Sequence, residues 1–229
     1  MSEKGLPPLK ITDVKVILTA PDHIRLVVVK VMTSEPCLYG LGCATFTQRP
    51  LAVASAIEDY LKPFVIGRDV DRIEDIWQAA YVSSYWRSGP VLNNAMSGVD
   101  EALWDIKGKR AGMPLFQLLG GKCREAAAVY GHAGGSSPAE VADSVRQFQA
   151  RGYRHIRVQM GGYGGLATGA ARPDGALPGA YFDRKQYMRD HLRLFQHLRE
   201  ELGDEVELLH DVHERLQPID AVGFAKDVE

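Results

Sequence analysis

Cysteine is scarce in this chain: Cys37, Cys43 and Cys123 are the only three among 229 residues. An odd number without metal-ligand spacing excludes a disulfide framework and speaks against structural zinc. It reads as reduced thiols in a cytoplasmic protein. Long apolar runs are missing as well, none approaching the roughly 20 residues that cross a bilayer, so no membrane partner is expected. Charge of one sign is not in excess: 27 Lys and Arg face 29 Asp and Glu, for a net charge of -2. That balance removes a basic nucleic-acid surface as the main theme. The opening Met1-Ser2-Glu3-Lys4-Gly5 has no basic-then-apolar pattern, so export is not expected. Internal repeats are absent too. With 45% hydrophobic and 24% charged residues the composition is that of a globular protein, with room for one large domain or two small ones.

The two halves differ in rhythm. Residues 10–18, 24–33 and 40–46 are β-rich runs separated by polar turns, which predicts a three-stranded antiparallel meander. Helical spacing follows over 51–62, 70–84 and 91–111, and Leu115 to Leu119 form a last turn stopped by Gly120-Gly121. Residues 1–122 therefore read as an α+β unit. From 123 to 229 strand and helix alternate: strands at 126–130, 155–160 and 206–212, and helices at 138–150, 183–202 and from Pro218 onward. Alternation of this kind means βαβ units and a parallel sheet. The Gly-, Ala- and Pro-rich connection 161–182 is far longer than the usual two to six residues and is expected to be a functional loop or lid. Three βα units ending at Glu229 inside a helical pattern would leave a sheet edge uncovered, so a truncated chain is expected.

The most informative stretch is Val206-Glu207-Leu208-Leu209-His210-Asp211-Val212-His213, an apolar run ending in a carboxylate and an imidazole two residues apart. On a strand, Asp211 and His213 would share one face at the C-terminal end, where loops and ligands gather in parallel α/β architectures. Asp211 is a hard oxygen ligand suited to Mg²⁺, and His213 can donate a proton near neutral pH. The alternative is a surface pair capping the next helix. Two neighbouring strand ends are also polar, with His132 on the first and Arg157 and Gln159 on the second. A guanidinium in an otherwise apolar strand needs a carboxylate partner, catalytic or structural. His132 could equally be a packed loop histidine. Gly161-Gly162-Tyr163-Gly164-Gly165 looks like a phosphate cradle, but no Lys-Ser/Thr pair follows. These glycines read instead as a mobile loop that brings Tyr163 over the pocket, where an arginine would lower its pKa. Tyr163 could also simply pack. Trp77, Trp86 and Trp104 read as core or domain interface.

Several separated motifs carry a resemblance. Val99-Asp100-Glu101-Ala102-Leu103-Trp104-Asp105-Ile106-Lys107-Gly108-Lys109 and Gly112-Met113-Pro114-Leu115 resemble the capping domain of the enolase superfamily. Ile73-Glu74-Asp75-Ile76-Trp77, Tyr85-Trp86-Arg87-Ser88-Gly89-Pro90, Val129-Tyr130-Gly131-His132 and Leu208 to His213 resemble its mannonate dehydratase group, which includes starvation-sensing-type proteins. The resemblance covers essentially the whole chain. It implies a capping domain on the first three βα units of a TIM-type (β/α)₇β barrel, Mg²⁺ as cofactor, a small-molecule sugar acid as substrate and a homo-oligomer. It implies Asp211 as the first metal carboxylate, His213 as general acid, Arg157 as partner of a tyrosine base and His132 as a substrate contact. The family's tyrosine lies farther beyond the arginine than Tyr163 does, which leaves Tyr181 as the alternative. An asparagine of the capping loop is replaced near Thr47-Gln48, the positions expected to meet the sugar. The two other metal carboxylates belong to strands beyond Glu229. Lysine bases of the racemase and lactonising branches are absent from the second strand. The implied activity is dehydration of D-mannonate or D-gluconate to a 2-keto-3-deoxy acid. The competing reading is a non-catalytic sugar-acid binder or inactive truncated homologue.

Overall fold

A computed structural model describes residues 7–83, 88–161, 174–175, 182–213 and 215–229. The chain divides into two compact units, Met1–Glu125 and Ala126–Glu229. Each has its own hydrophobic cluster.

The first unit opens with strands β1 (Ile11–Thr19), β2 (Leu26–Thr33) and β3 (Tyr39–Cys43), paired antiparallel in that order. Along β2 the burial alternates strictly: Val27, Val29, Val31 and Thr33 point inward. A period of two buries one face of the sheet, and helices must cover it. They are α1 (Pro50–Ser55), α2 (Lys62–Val65), α3 (Ile73–Ser83), α4 (Pro90–Ala111) and the short α5 (Leu115–Leu118). A π-helical turn at Ala56–Leu61 joins α1 to α2, so the helix expected over 51–62 is interrupted.

The covering helix α4 buries Ala95, Val99, Ala102, Leu103 and Ile106, the spacing of a single helical stripe. It lies so close to β3 that a Cβ on Gly40 or Gly42 would overlap the backbone carbonyls of Ala102 and Gly98. The contact continues through side chains. Asp105 Oδ2 accepts the Leu41 N–H and Glu101 Oε2 the Cys43 N–H, both at 2.8 Å. Gly112, left-handed at φ 64°, ends α4. Trp104 packs half-buried on this core and Trp77 stacks on Tyr81 with ring centroids 5.0 Å apart. Trp86 lies outside the described residues.

The second unit alternates as expected: β4 (Tyr130–Gly135), α6 (Pro138–Ala150), β5 (His155–Met160), α7 (Arg184–Leu202), β6 (Glu207–Leu209) and α8 (Pro218–Asp227). The sheet is parallel, ordered β4-β5-β6. Ser137 Oγ accepts the Glu140 N–H while Glu140 Oε2 accepts the Ser136 N–H, a reciprocal cap that starts α6. Asp183 does the same work for α7 through the N–H groups of Lys185 and Gln186. Val141, Val145, Leu194 and Leu198 of these helices pack on Ala133, Ile156 and Val158 of the strands.

Two sequence expectations need correction. The first strand is not 126–130 but Tyr130–Gly135, and residues 126–129 are exposed without strand pairing. Small residues decide this: Gly131 seats the Phe148 ring and Gly135 seats Glu140 and Val141, which only a strand carried past His132 can do. The third strand is shorter than 206–212, because its pairing with β5 ends at Arg157–Leu209. Most of the connection 161–182, with Tyr163 and Tyr181, lies outside the described residues.

Because backbone, not a flexible side chain, occupies the space beside Gly42, Gly42→Ala is expected to lower unfolding stability by about 1–3 kcal/mol. Urea unfolding with an unchanged midpoint would show that α4 can move away at no cost.

Candidate active site at the strand ends

Arg157 sits in mid-β5, only 7% exposed, with His132 of β4 and Leu209 of β6 as its registered neighbours. Registered residues of a parallel sheet project from the same side, so His132 stands on the Arg157 face. His132 is exposed and stacks on Tyr130 at 5.2 Å between centroids. A buried guanidinium must be hydrogen-bonded and charge-compensated. Arg157 Nη2 donates to Gln159 Oε1 at 3.1 Å, lies 3.2 Å from His213 Nε2 and 3.6 Å from Asp211 Oδ2.

Asp211 and His213 lie past the end of β6, so the strand geometry expected for them does not hold. Sides still alternate: Leu208, His210 and Val212 line a groove against α7 and α8, while Asp211 meets the Arg157 face. His213 arrives there by a different device. Its backbone is left-handed at φ 48°, its N–H donates to Asp211 Oδ1 at 2.9 Å, and its Nε2 returns to within 3.2 Å of Asp211 Oδ2. The His213 N–H, then the imidazole and the Arg157 guanidinium, hold the Asp211 carboxyl below the ordinary carboxylate range. Asp211 is therefore an ionised oxygen donor, with its side chain 49% exposed.

Behind this cluster lies a second one that sequence reasoning missed. Tyr187 Oη is 2.7 Å from His210 Nε2, and His210 Nδ1 is 2.9 Å from the Val158 carbonyl. His191, fully buried, places Nδ1 2.9 Å from the Tyr187 carbonyl, and its ring lies 4.5 Å from that of His210. Burial pushes His210 down to about 4 and His191 also downward, while desolvation pushes Tyr187 up to about 12. The available signal was the stripe Tyr187, His191, Leu194, Leu198 on α7, where polar rings occupy apolar positions.

A groove of about 680 Å³ lies on the helix side of β6, bordered by Phe195, Leu208, Val212, Leu216 and Phe224. It excludes Arg157, Asp211 and His213, and His210, Arg193 and Arg199 are among its polar lining.

Thr47 and Gln48 occupy the turn between β3 and α1, where Thr47 Oγ1 donates to Gln48 Oε1 at 2.9 Å. Among the described residues no group of three His, Cys, Asp or Glu side chains could hold a metal ion. Mg²⁺ prefers six oxygens in octahedral array, so Asp211 alone fits one corner of such a site and does not hold the ion. The three cysteines are free and exposed. None of the described helices is long and apolar enough to cross a membrane.

Residues 6–120 match the N-terminal domain of the mandelate racemase/muconate lactonizing enzyme family. The chain belongs to the enolase superfamily. Its fold is that superfamily's N-terminal capping domain followed by part of an α/β barrel. D-galactonate dehydratase family member RspA from Pantoea ananatis (strain LMG 20103) is 56% identical over 96% of this chain. A family member from Catenulispora acidiphila is 51% identical over the same share. A crystal structure of an enolase from Pantoea ananatis with bound D-gluconate and Mg superposes with a TM-score of 0.87 at 56% identity, covering 96% of this chain and 57% of that one. The chain spans 57% of the length of RspA and 52% of the Catenulispora relative.

The buried histidines set an acid response. Their folded pKa values lie below the unfolded value, so the unfolded chain takes up protons first as pH falls. Their contribution is complete above about 6.5 and is lost as pH falls below it, for His210 toward about 4. The melting temperature is expected to fall already between pH 6.5 and 5, above the range where ordinary carboxylates titrate. A flat profile in calorimetry across that window would contradict the neutral assignment.

Proposed function

We propose that this chain carries the first part of a sugar-acid dehydratase active site, formed by Asp211, His213 and Arg157. The reading rests on one observation: Arg157 Nη2, His213 Nε2 and Asp211 Oδ2 converge within 3.2–3.6 Å where the pairing of β5 with β6 ends. The likeness to an enolase holding D-gluconate and Mg supports a sugar acid of the gluconate or mannonate class, and the dehydratase names of the relatives support the reaction. In this reading residues 1–122 cap a barrel that begins at 123, and the enzyme is a cytoplasmic homo-oligomer.

Asp211 would supply one oxygen to Mg²⁺, and the remaining donors would have to come from outside the described residues. When bound, the ion would neutralise the substrate carboxylate and so acidify the neighbouring C–H. The protein's own groups move the protons. A tyrosine base, Tyr163 or Tyr181, takes the α-proton, and Arg157 favours its phenolate by charge. His213 gives its proton to the departing 3-hydroxyl, which leaves as water. The resulting enol tautomerises to the 2-keto-3-deoxy acid.

The triangle around His213 suits that role because its two partners want opposite protonation states. With a proton on Nε2, the ring donates to Asp211 Oδ2; with the proton gone, the Nε2 lone pair accepts from Arg157 Nη2. The imidazole thus keeps a partner before and after transfer, without moving. His132, on the Arg157 face, and Thr47 and Gln48 are proposed as substrate contacts.

A second reading, sugar-acid binding without turnover, is favoured because no group of three His, Cys, Asp or Glu side chains among the described residues could hold a metal ion. One experiment separates the two. With D-gluconate, D-mannonate and Mg²⁺, a protein that joins this chain to the remaining metal donors is expected to form a 2-keto acid, and His213→Asn to reduce that rate at least about 100-fold, the ordinary loss for a general acid. Unchanged turnover in the variant eliminates the acid role. Calorimetric binding of gluconate without any product supports the binder.

A further inference from the structure

β5 continues to Met160, but its pairing with β6 stops at Arg157–Leu209. The first β5 carbonyl past that point, Val158 O, is taken by a side chain: His210 Nδ1 lies 2.9 Å away. A carbonyl only accepts, so Nδ1 carries the proton and Nε2 presents a lone pair. Tyr187 Oη, 2.7 Å from that Nε2, donates to it. The imidazole therefore bridges α7 to β5 at the residue immediately before Asp211. Around it pack His191 at 4.5 Å, Phe195 at 5.8 Å edge-on and Phe224 at 6.0 Å, so the ring cannot turn without displacing three neighbours.

We propose that Tyr187 and His210 are positioning residues: the Tyr187–His210–Val158 bridge replaces the missing strand pairing and fixes the backbone from which Asp211 and His213 turn onto Arg157. Without it, nothing in the β5–β6 ladder restrains residues 210–213, since all described ladder pairs lie at or before Leu209. The left-handed His213 needs such restraint, because in that conformation the Cβ crowds the following carbonyl oxygen. The arrangement explains why a tyrosine is buried on α7 and why a half-buried histidine faces it. A phenylalanine at 210 would leave Val158 O untied, and one at 187 would leave His210 Nε2 without its donor and the ring free of α7. The functional weight of this bridge rests on the dehydratase reading; its geometry does not.

The test is site-resolved amide exchange, with His210 ring NMR, on the protein and on Tyr187→Phe, His210→Phe, the double variant and His210→Asn. His210 is expected as the Nδ1–H tautomer. The His213 amide, held by Asp211 Oδ1, is expected to exchange about tenfold faster or more in each Phe variant, while amides of β4 and α6 keep their rates. The double variant should be no worse than His210→Phe, since Tyr187 acts through the ring. His210→Asn, whose amide N–H can reach Val158 O, should restore most of the protection. An Nε2–H tautomer, unchanged exchange at His213, or a uniform loss of protection through the unit overturns the proposal. His213→Asn, assayed beside these, separates the two readings. Persisting turnover there defeats the acid role and leaves the bridge standing, whereas loss of turnover with unaltered exchange in the Phe variants defeats the bridge alone.

Discussion

The guanidinium of Arg157 is the constraint on which the second unit depends. A cation in the middle of a strand whose neighbours Ile156 and Val158 are fully buried has to be compensated where it stands. Three polar side chains stand around it: Gln159 on its own strand, and Asp211 and His213 just past the end of β6. Removing the carboxylate from a fully buried pair costs about 3–5 kcal/mol. With Asp211 half exposed, water relieves part of that demand. The same exposure leaves the carboxylate accessible to a ligand. The arginine thus gathers the groups, and the solvent-facing aspartate keeps them usable.

Two layers follow from this. On one side of the β6 tip stand ionised or proton-carrying groups; on the other stand neutral rings, Tyr187, His191, His210, Phe195 and Phe224. Single-residue alternation separates them, His210 to one side and Asp211 to the other. Burial holds the histidines neutral on the helix side, while backbone and charge hold the aspartate ionised on the Arg157 side. Neighbours in sequence so acquire opposite electrostatic characters from the faces they occupy.

Much of this was legible in the sequence. Periodicity located the meander, and α6 and β5 fall where the pattern placed them, because strong caps and β-branched runs leave little choice there. Asp211, His213 and Arg157 were found by residue type at strand ends, and the structure brings the three together. The backbone that does so was not legible: nothing in Asp211-Val212-His213 announces a left-handed histidine, since that conformation is selected by tertiary contacts. The first strand was misplaced because an alanine run imitates a strand, whereas the glycines of β4 are explained only by the helix that rests on them. Tyr187 and His210 escaped because one hydrogen bond between α7 and the β6 tip has no signature in either segment alone.

Asp105 and Glu101 reach over the outer edge of β3 and occupy its Leu41 and Cys43 N–H groups. A strand approaching that margin would meet two carboxylates already bound to the donors it needs, with Lys109 pressed against Asp105. Extension of the sheet from this side is thereby blocked by charge and by saturation together. The helix that covers the first unit's core also guards its rim against the addition of a further strand.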